Sequence, residues 1–451
     1  MKLTFFGGAE SVTGANYMLE SGGVKILVDC GLKQGGVFCE IDNFNPFSYN
    51  PEEISAVFVT HAHIDHTGRL PQLVKCGFKG RIYSTPPTRD FAEMLLLDSQ
   101  HILRKEAERS KRETMYDESD VERMRSLWDG IPYHQSFSVG PFEITFINAG
   151  HVLGSASVVI KTEGKTIVFS GDLGNIPTPF IKGTEYIENV DYALIESVYG
   201  GRVHEGSDSR EELIETTIKE VVRDKGVVII PAFALERTQE MIYLMNNLVE
   251  QKRVSRIPVF IDSPLAIKLT AVYQKYSKNP MYFKDETISQ IKGGDAIFNF
   301  PGLSLCLTRQ ESMAIASVLP PKIIIAGSGM SHGGRVIHHE KRYLSDPQNA
   351  ILFVGYQAEG SLGRKILDGE KFVTILGENI PVLAKVKSIG GYSGHADQPQ
   401  LLQWINAMKD TVKRVFVVQG ESNEASELAR KAKADLGVYT SVPKSGDVVE
   451  L

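Results

Sequence analysis

The sequence predicts an α/β protein of two units, one of them split, on three observations. Short β-branched runs alternate with helical stretches along the chain. Several of those runs end in a His, Asp or Glu, the place where α/β folds put their ligands. The pattern changes after Gly206 and the histidine-bearing style returns near Ser393. Residues 1–206 and 391–451 therefore read as one domain, with residues 207–390 inserted as a second α/β unit. A chain of 451 residues is too long for one ordinary core, which agrees with that division.

Taken in order, residues 2–6 and 24–29 read as strands joined through Gly-rich turns, the second ending at Asp29. Ile54 to Val59 is an apolar strand that opens into Thr60-His61-Ala62-His63-Ile64-Asp65-His66. A helix starts at Thr67 to Pro71, and Arg81 to Ser84 is a further strand. Residues 88–129 are charged and helical in period, a solvated helical pair in which nucleic-acid contact through Arg104, Arg109 or Lys111 is the minority reading. Strands follow at Phe142 to Ile147, before His151, at Val158 to Ile160, at Thr166 to Phe169, before Asp172, and at Tyr192 to Ile195, before Glu196.

In the middle part, helices are expected at Arg210 to Arg223 and Arg237 to Glu250, with buried strands at Val227 to Pro231 and Val259 to Ser263. The strand Lys322 to Ala326 feeds the loop Gly327 to Arg335, whose unencumbered backbone N–H groups suit an anion and suit equally a plain Gly-rich turn. Ile351 to Val354 is another strand, followed by a Gly-punctuated connection. The last part repeats strand, loop and helix, with Ser393 to Gln398 before the helix Leu401 to Lys409, and Arg414 to Val418 ending at Gln419.

Composition excludes several classes. The net charge of -6 and pI near 6.0 rule out a wholesale basic surface, so any nucleic-acid contact must be local. Cys30, Cys39, Cys76 and Cys306 form no CxxC pair and no disulfide framework. The start lacks the apolar core of a signal peptide and no run reaches the length of a membrane span, so a cytoplasmic protein with no membrane contact is expected.

Three imidazoles and a carboxylate within His61 to His66 cannot all be buried without partners, because each would lose its hydration uncompensated. Neutral imidazole and carboxylate are the donors a borderline cation such as zinc prefers, and their alternation on a tight turn suggests two adjacent ions. His151 and Asp172 join them, and Asp29 with them, if the strand ends converge. Asp172 is the natural bridge, since a carboxylate offers one oxygen to each ion. Two such ions lower the pKa of a bridging water and drive hydrolysis. His395 could then protonate a leaving group, with Glu196 holding its tautomer.

These residues resemble a known family. His61-Ala62-His63-Ile64-Asp65-His66, His151 and Asp172 look like the signature of the metallo-β-lactamase superfamily. Glu196, the Gly327 to Arg335 loop and Ser393-Gly394-His395-Ala396-Asp397 look like its β-CASP nuclease branch, which includes the cleavage endonuclease of pre-mRNA 3′-end processing and stand-alone prokaryotic RNases. The resemblance implies an αββα sandwich with an inserted α/β β-CASP domain and a metal-dependent ribonuclease that takes single-stranded RNA between the two for RNA processing. It implies one Zn2+ at His61, His63, His151 and Asp172, and another at Asp65, His66 and Asp172. Asp65, His395, Glu196 and Asp29 become the catalytic set. Ser328, Gly329 and Met330 become a phosphate cradle, with Arg237 and Arg335 as phosphate contacts. A homodimer is left open.

One position departs. RNA-cleaving members usually carry a histidine, a ligand of the second ion, where this chain has Gln419, and DNA-cleaving members tend to valine. A glutamine amide is a poor zinc ligand, so the second site is expected to be weak or to select a harder ion such as Mn2+. A DNA nuclease of the same fold is the runner-up, and an RNA-binding homologue weakened at Gln419 the third reading. Small-substrate hydrolases of the superfamily lack the 206–390 insertion and rank last.

Overall fold

The structure, a computed structural model, describes residues 1–34, 42–204, 208–358, 360–389 and 393–451. The chain folds as two units, Met1–Val203 with Gly394–Leu451, and His204–Ser393. The expected joins at 206/207 and 390/391, and Cys39, lie outside the described residues.

The split unit is built on two seven-stranded sheets. One runs Val448–Glu450, Lys2–Gly7, Asn16–Ser21, Val24–Val28, Ile54–Phe58, Arg81–Ser84, Trp128–Gly130. The other runs Thr440–Ser441, Arg414–Val417, Tyr192–Ile195, Lys165–Phe169, Ala156–Thr162, Phe142–Asn148, Phe137–Val139. Aromatic pairs bridge the two faces, with ring centroids 5.5 Å apart for Phe5 and Phe416 and 6.0 Å for Tyr17 and Phe169. On the outer face of the second sheet, Leu401, Trp404, Ile405 and Leu428 pack against Val168, Ala193 and Val415. They come from the helices Gln398–Asn406 and Ser422–Leu436, and helices Leu70–Lys75, Pro86–Ser110 and Glu118–Ser126 accompany the first sheet. This is the αββα layering.

In the inserted unit, six strands pair in parallel in the order Leu303–Leu305, Val259–Asp262, Lys322–Ala326, Val227–Pro231, Ala350–Phe353, Lys385–Ser388. Val227–Pro231 is buried at every residue, as a central strand covered on both faces must be. The antiparallel hairpin Phe372–Ile375 with Glu378–Pro381 stands apart from that sheet.

Several elements carry no periodic signal of their own in the sequence. The strand Asn16–Ser21 carries no β-branched residue, and it is held as a strand by antiparallel pairing on both edges. Trp128–Gly130 and Phe137–Val139 are three residues each, too short for a period of two to show. The helix Ser422–Leu436 begins where the reading stopped, and ends at Gly437 in the left-handed conformation.

Candidate metal centre

Parallel register puts the ionisable side chains on one rim. Phe169 pairs with Leu194 and Ile195 with Val417, so the exits carrying Asp172, Glu196 and Gln419 are neighbours. In the other sheet Val28 pairs with Phe58, which brings Asp29 beside Thr60 and the histidine loop. Gly31 is required there, since a Cβ would run into the Asp65 carbonyl. His151 and His395 meet because the Gly394 carbonyl accepts from His151 Nδ1 at 2.9 Å and Gly174 bridges His395.

His61, His63, His151 and Asp172 each offer a ligand atom, all within 4.8 Å of one another. His61 Nε2 is 3.0 Å and His151 Nε2 3.3 Å from His63 Nδ1, and Asp172 Oδ2 is 3.4 Å and 3.7 Å from the two Nε2 atoms. The hydrogens of this set are spent elsewhere. His61 Nδ1 lies 3.1 Å from Thr60 Oγ1, and His151 Nδ1 donates to Gly394, so both Nε2 atoms are bare. At most one hydrogen, on His63 Nδ1, remains among four atoms that otherwise present lone pairs. A divalent cation resolves that deficit, so the residues fit one. Burial, reinforced by His61 for His63 and by His395 for His151, keeps both rings well below the ordinary histidine range and hence neutral, the form that ligates.

The second set is looser. His66 Nε2 is 3.3 Å from Asp172 Oδ1 and 3.9 Å from Asp65 Oδ2, while His66 Nδ1 donates to Asp29 Oδ2 at 2.7 Å. Asp29, in the left-handed region at φ 59°, also accepts from the Thr60 amide and hydroxyl, each at 2.8 Å. Burial lowers the His66 proton affinity but Asp172, Asp29 and Asp65 outweigh it. A cation on the other oxygen of Asp172 would take up part of that pull. Gln419 occupies the remaining side of this pole, with its Nε2 donating to Asp172 Oδ1 at 2.9 Å.

Glu196 is fully buried, and its Oε1 accepts from the Leu173 amide at 2.7 Å and lies 3.2 Å from His395 Nδ1. Burial by itself would lower the His395 imidazole; Glu196 and then Asp172 reverse this and push it up to about 9. Burial raises the Asp65 and Glu196 carboxyls. Of Asp65, Glu196 and His395, the last is the most open, with 23% of its side chain exposed against 18% for Asp65. Thr60 and the Gly394 carbonyl orient the ligands and escaped the sequence reading. Only the position of Thr60, directly before the histidine loop, hinted at it.

The residues expected in the inserted unit have partners within that unit. Ser328 to Gly334 is a turn bonded to itself, Ser328 N–H to Gly333 O at 3.3 Å and Ser331 N–H to Ser328 O at 3.1 Å. Gln357 Nε2 donates to Gly329 O at 2.9 Å and the Gly363 amide to Met330 O at 3.3 Å. Arg335 Nη1 donates to Asp262 Oδ1 at 2.7 Å and to Cys306 O at 2.8 Å, and Nη2 to Leu307 O at 2.9 Å. Arg237 is buried and paired with Glu240. Both guanidiniums thus have partners inside the unit. Among the described residues no helix is long and apolar enough to cross a membrane.

Comparison with known proteins agrees with this geometry. Residues 12–232 match the family model for the metallo-beta-lactamase superfamily, 238–366 the Beta-Casp domain, and 379–443 the Zn-dependent metallo-hydrolase RNA specificity domain. The chain is 36% identical to "Ribonuclease TTHA0252" of Thermus thermophilus, over 100% of both chains. It is 30% identical to "Transcription termination factor FttA" of Methanosarcina mazei, over 100% of this chain and 72% of that protein. An "RNase J-like protein" of Methanocaldococcus jannaschii is 29% identical over 100% of this chain and 99% of that one. A crystal structure of a protein of unknown function from Enterococcus faecalis shares the fold, with a TM-score of 0.54 at 12% identity over 100% of this chain and 99% of that one.

Proposed function

This chain belongs to the metallo-β-lactamase superfamily, in the branch that carries a Beta-Casp domain, and from that premise we propose that it is a zinc-dependent ribonuclease cutting single-stranded RNA. The observation that carries the reading is the convergence of four lone-pair atoms within 4.8 Å, beside an imidazole whose buried carboxylate partner holds its proton. His61, His63, His151 and Asp172 would hold the zinc, and the insertion is residues 207–390. A divalent ion there would lower the pKa of water toward neutrality and draw charge from a phosphoryl oxygen.

The chain's own residues do the rest. His395 keeps Nδ1–H on Glu196 and delivers the proton of its other nitrogen, Nε2, to the departing 3′-oxygen, leaving a 5′-phosphate and a 3′-hydroxyl. Glu196, itself fixed by the Leu173 amide, holds the ring and stabilises its charge. Asp65, its carboxyl raised by burial, takes the proton of the attacking water. Asp29 keeps His66 and Thr60 in place. The turn at Ser328, Gly329 and Met330 is proposed as a phosphate contact through its backbone.

Matched RNA and DNA oligomers with one 3′ label, incubated with the metal-loaded chain, test the reading. Cleavage of RNA alone, with a 5′-phosphate on the new end, supports it. DNA cleavage transfers it to a DNA nuclease, and no cleavage in excess zinc or manganese leaves a binding protein.

A further inference from the structure

The two poles of the centre differ in the kind of group that closes them. On the far side of Asp172 stands the side-chain amide of Gln419, with Nε2 2.9 Å from Asp172 Oδ1 and 3.0 Å from His66 Nε2. One amide nitrogen thus stands within reach of both atoms that a second ion would otherwise bind, and it donates to the Asp172 carboxylate. Turned the other way, the amide oxygen would face that carboxylate oxygen, acceptor against acceptor.

Gln419 is also held there by its backbone. It sits in the left-handed region at φ 48°, and its N–H donates to the Gly8 carbonyl at 2.6 Å. A Cβ on Gly8 would run into the Tyr17 hydroxyl and lie 3.2 Å from Gln419 Cγ, so a glycine there leaves room for both side chains. The residue is 2% exposed. Asp65, His66 and Asp172 do not gather as the first four donors do among the described residues.

We propose that Gln419 takes the place of the second cation, so that the centre holds one divalent ion, with the amide nitrogen donating to Asp172 and lying 3.0 Å from His66 Nε2. The inference rests on the metal-centre reading and deepens it. Two-metal hydrolases hold a second cation at such a pole. Here the group is a neutral amide, and the charge at this pole stays that of Asp65, Asp172 and Asp29 with their histidine.

Metal content decides it. The full chain, equilibrated with buffered zinc and separately with buffered manganese, is assayed by elemental mass spectrometry and by native mass of the intact protein. One ion per chain is expected under either metal, and two in Gln419→His and in Gln419→Glu, which exchange the donor for a ligand. Two ions on the unaltered chain overturn the proposal, and so does a count of one in both folded variants. The unaltered chain's own count needs no variant to fold. Cleavage is read separately: one ion without RNA cleavage sinks the ribonuclease reading and spares this one, and no ion at all sinks both.

Discussion

Each unit buries a polar cluster where its strands end, and the two clusters are balanced in opposite ways. In the inserted unit Asp262, fully buried, accepts from Ser312 Oγ at 2.6 Å, Arg335 Nη1 at 2.7 Å and His339 Nε2 at 2.7 Å. Burial raises its carboxyl, but His339, Ser312 and Arg335 together hold it below the usual range. In the split unit the imidazole nitrogens of His61, His63 and His151 and a carboxylate oxygen of Asp172 face one another at 3.0 to 3.7 Å. A cluster whose acceptors all find donors locks a fold, and one whose acceptors face acceptors is a site waiting for a cation.

The contrast can be broken at four points. The largest effect is expected from His63→Ala or Asp172→Ala, which should lose bound metal and RNA cleavage together, measured by metal content and turnover. Retained metal in both would mean the four atoms are not a ligand set. His395→Ala should keep the metal yet lose turnover by roughly 10²- to 10⁴-fold, the scale of removing a general acid. Unchanged turnover would take His395 out of the mechanism.

Asp262→Ala should do the reverse, keeping the metal while costing about 3 kcal/mol in denaturant unfolding, because three donors are stranded in the interior. A variant of undiminished stability would show the cluster is not what holds that end of the sheet. The smallest effect concerns Glu236, whose carboxyl is pushed up to about 8 by burial and by Glu240. Between about 4.5, its ordinary value, and 8 the folded chain keeps a proton that the unfolded chain releases, so its contribution to stability is full at low pH and is lost as pH rises. Glu236→Gln should flatten that loss, with a melting temperature about 2–4 °C above the parent at pH 8 and no gain near pH 4. An equal gain at both values would assign the effect to packing.

Legibility followed the kind of signal. Apolar runs such as Val227–Pro231 announced themselves, since a strand covered on both faces needs continuous hydrophobic side chains. Asn16–Ser21 did not, because pairing on both edges, a matter of neighbours rather than of its own residues, makes it a strand. Within the centre, His61 to His66 was readable from density alone. Arg335 was readable only as a basic residue after a Gly-rich turn, and its partners Asp262, Cys306 and Leu307 could not be inferred from that turn.

Residue type by itself determined which groups could ligate, which could carry a proton and which strands would present them, because those capacities belong to the side chain and to the period of the run around it. Atomic pairing was decided by tertiary structure alone. The hydrogen of His151 goes to Gly394, across 243 positions of chain, and the amide of Gln419 settles between Asp172 and His66. Register between parallel strands brings such distant exits to within about 3 Å, and no spacing along the chain encodes that register.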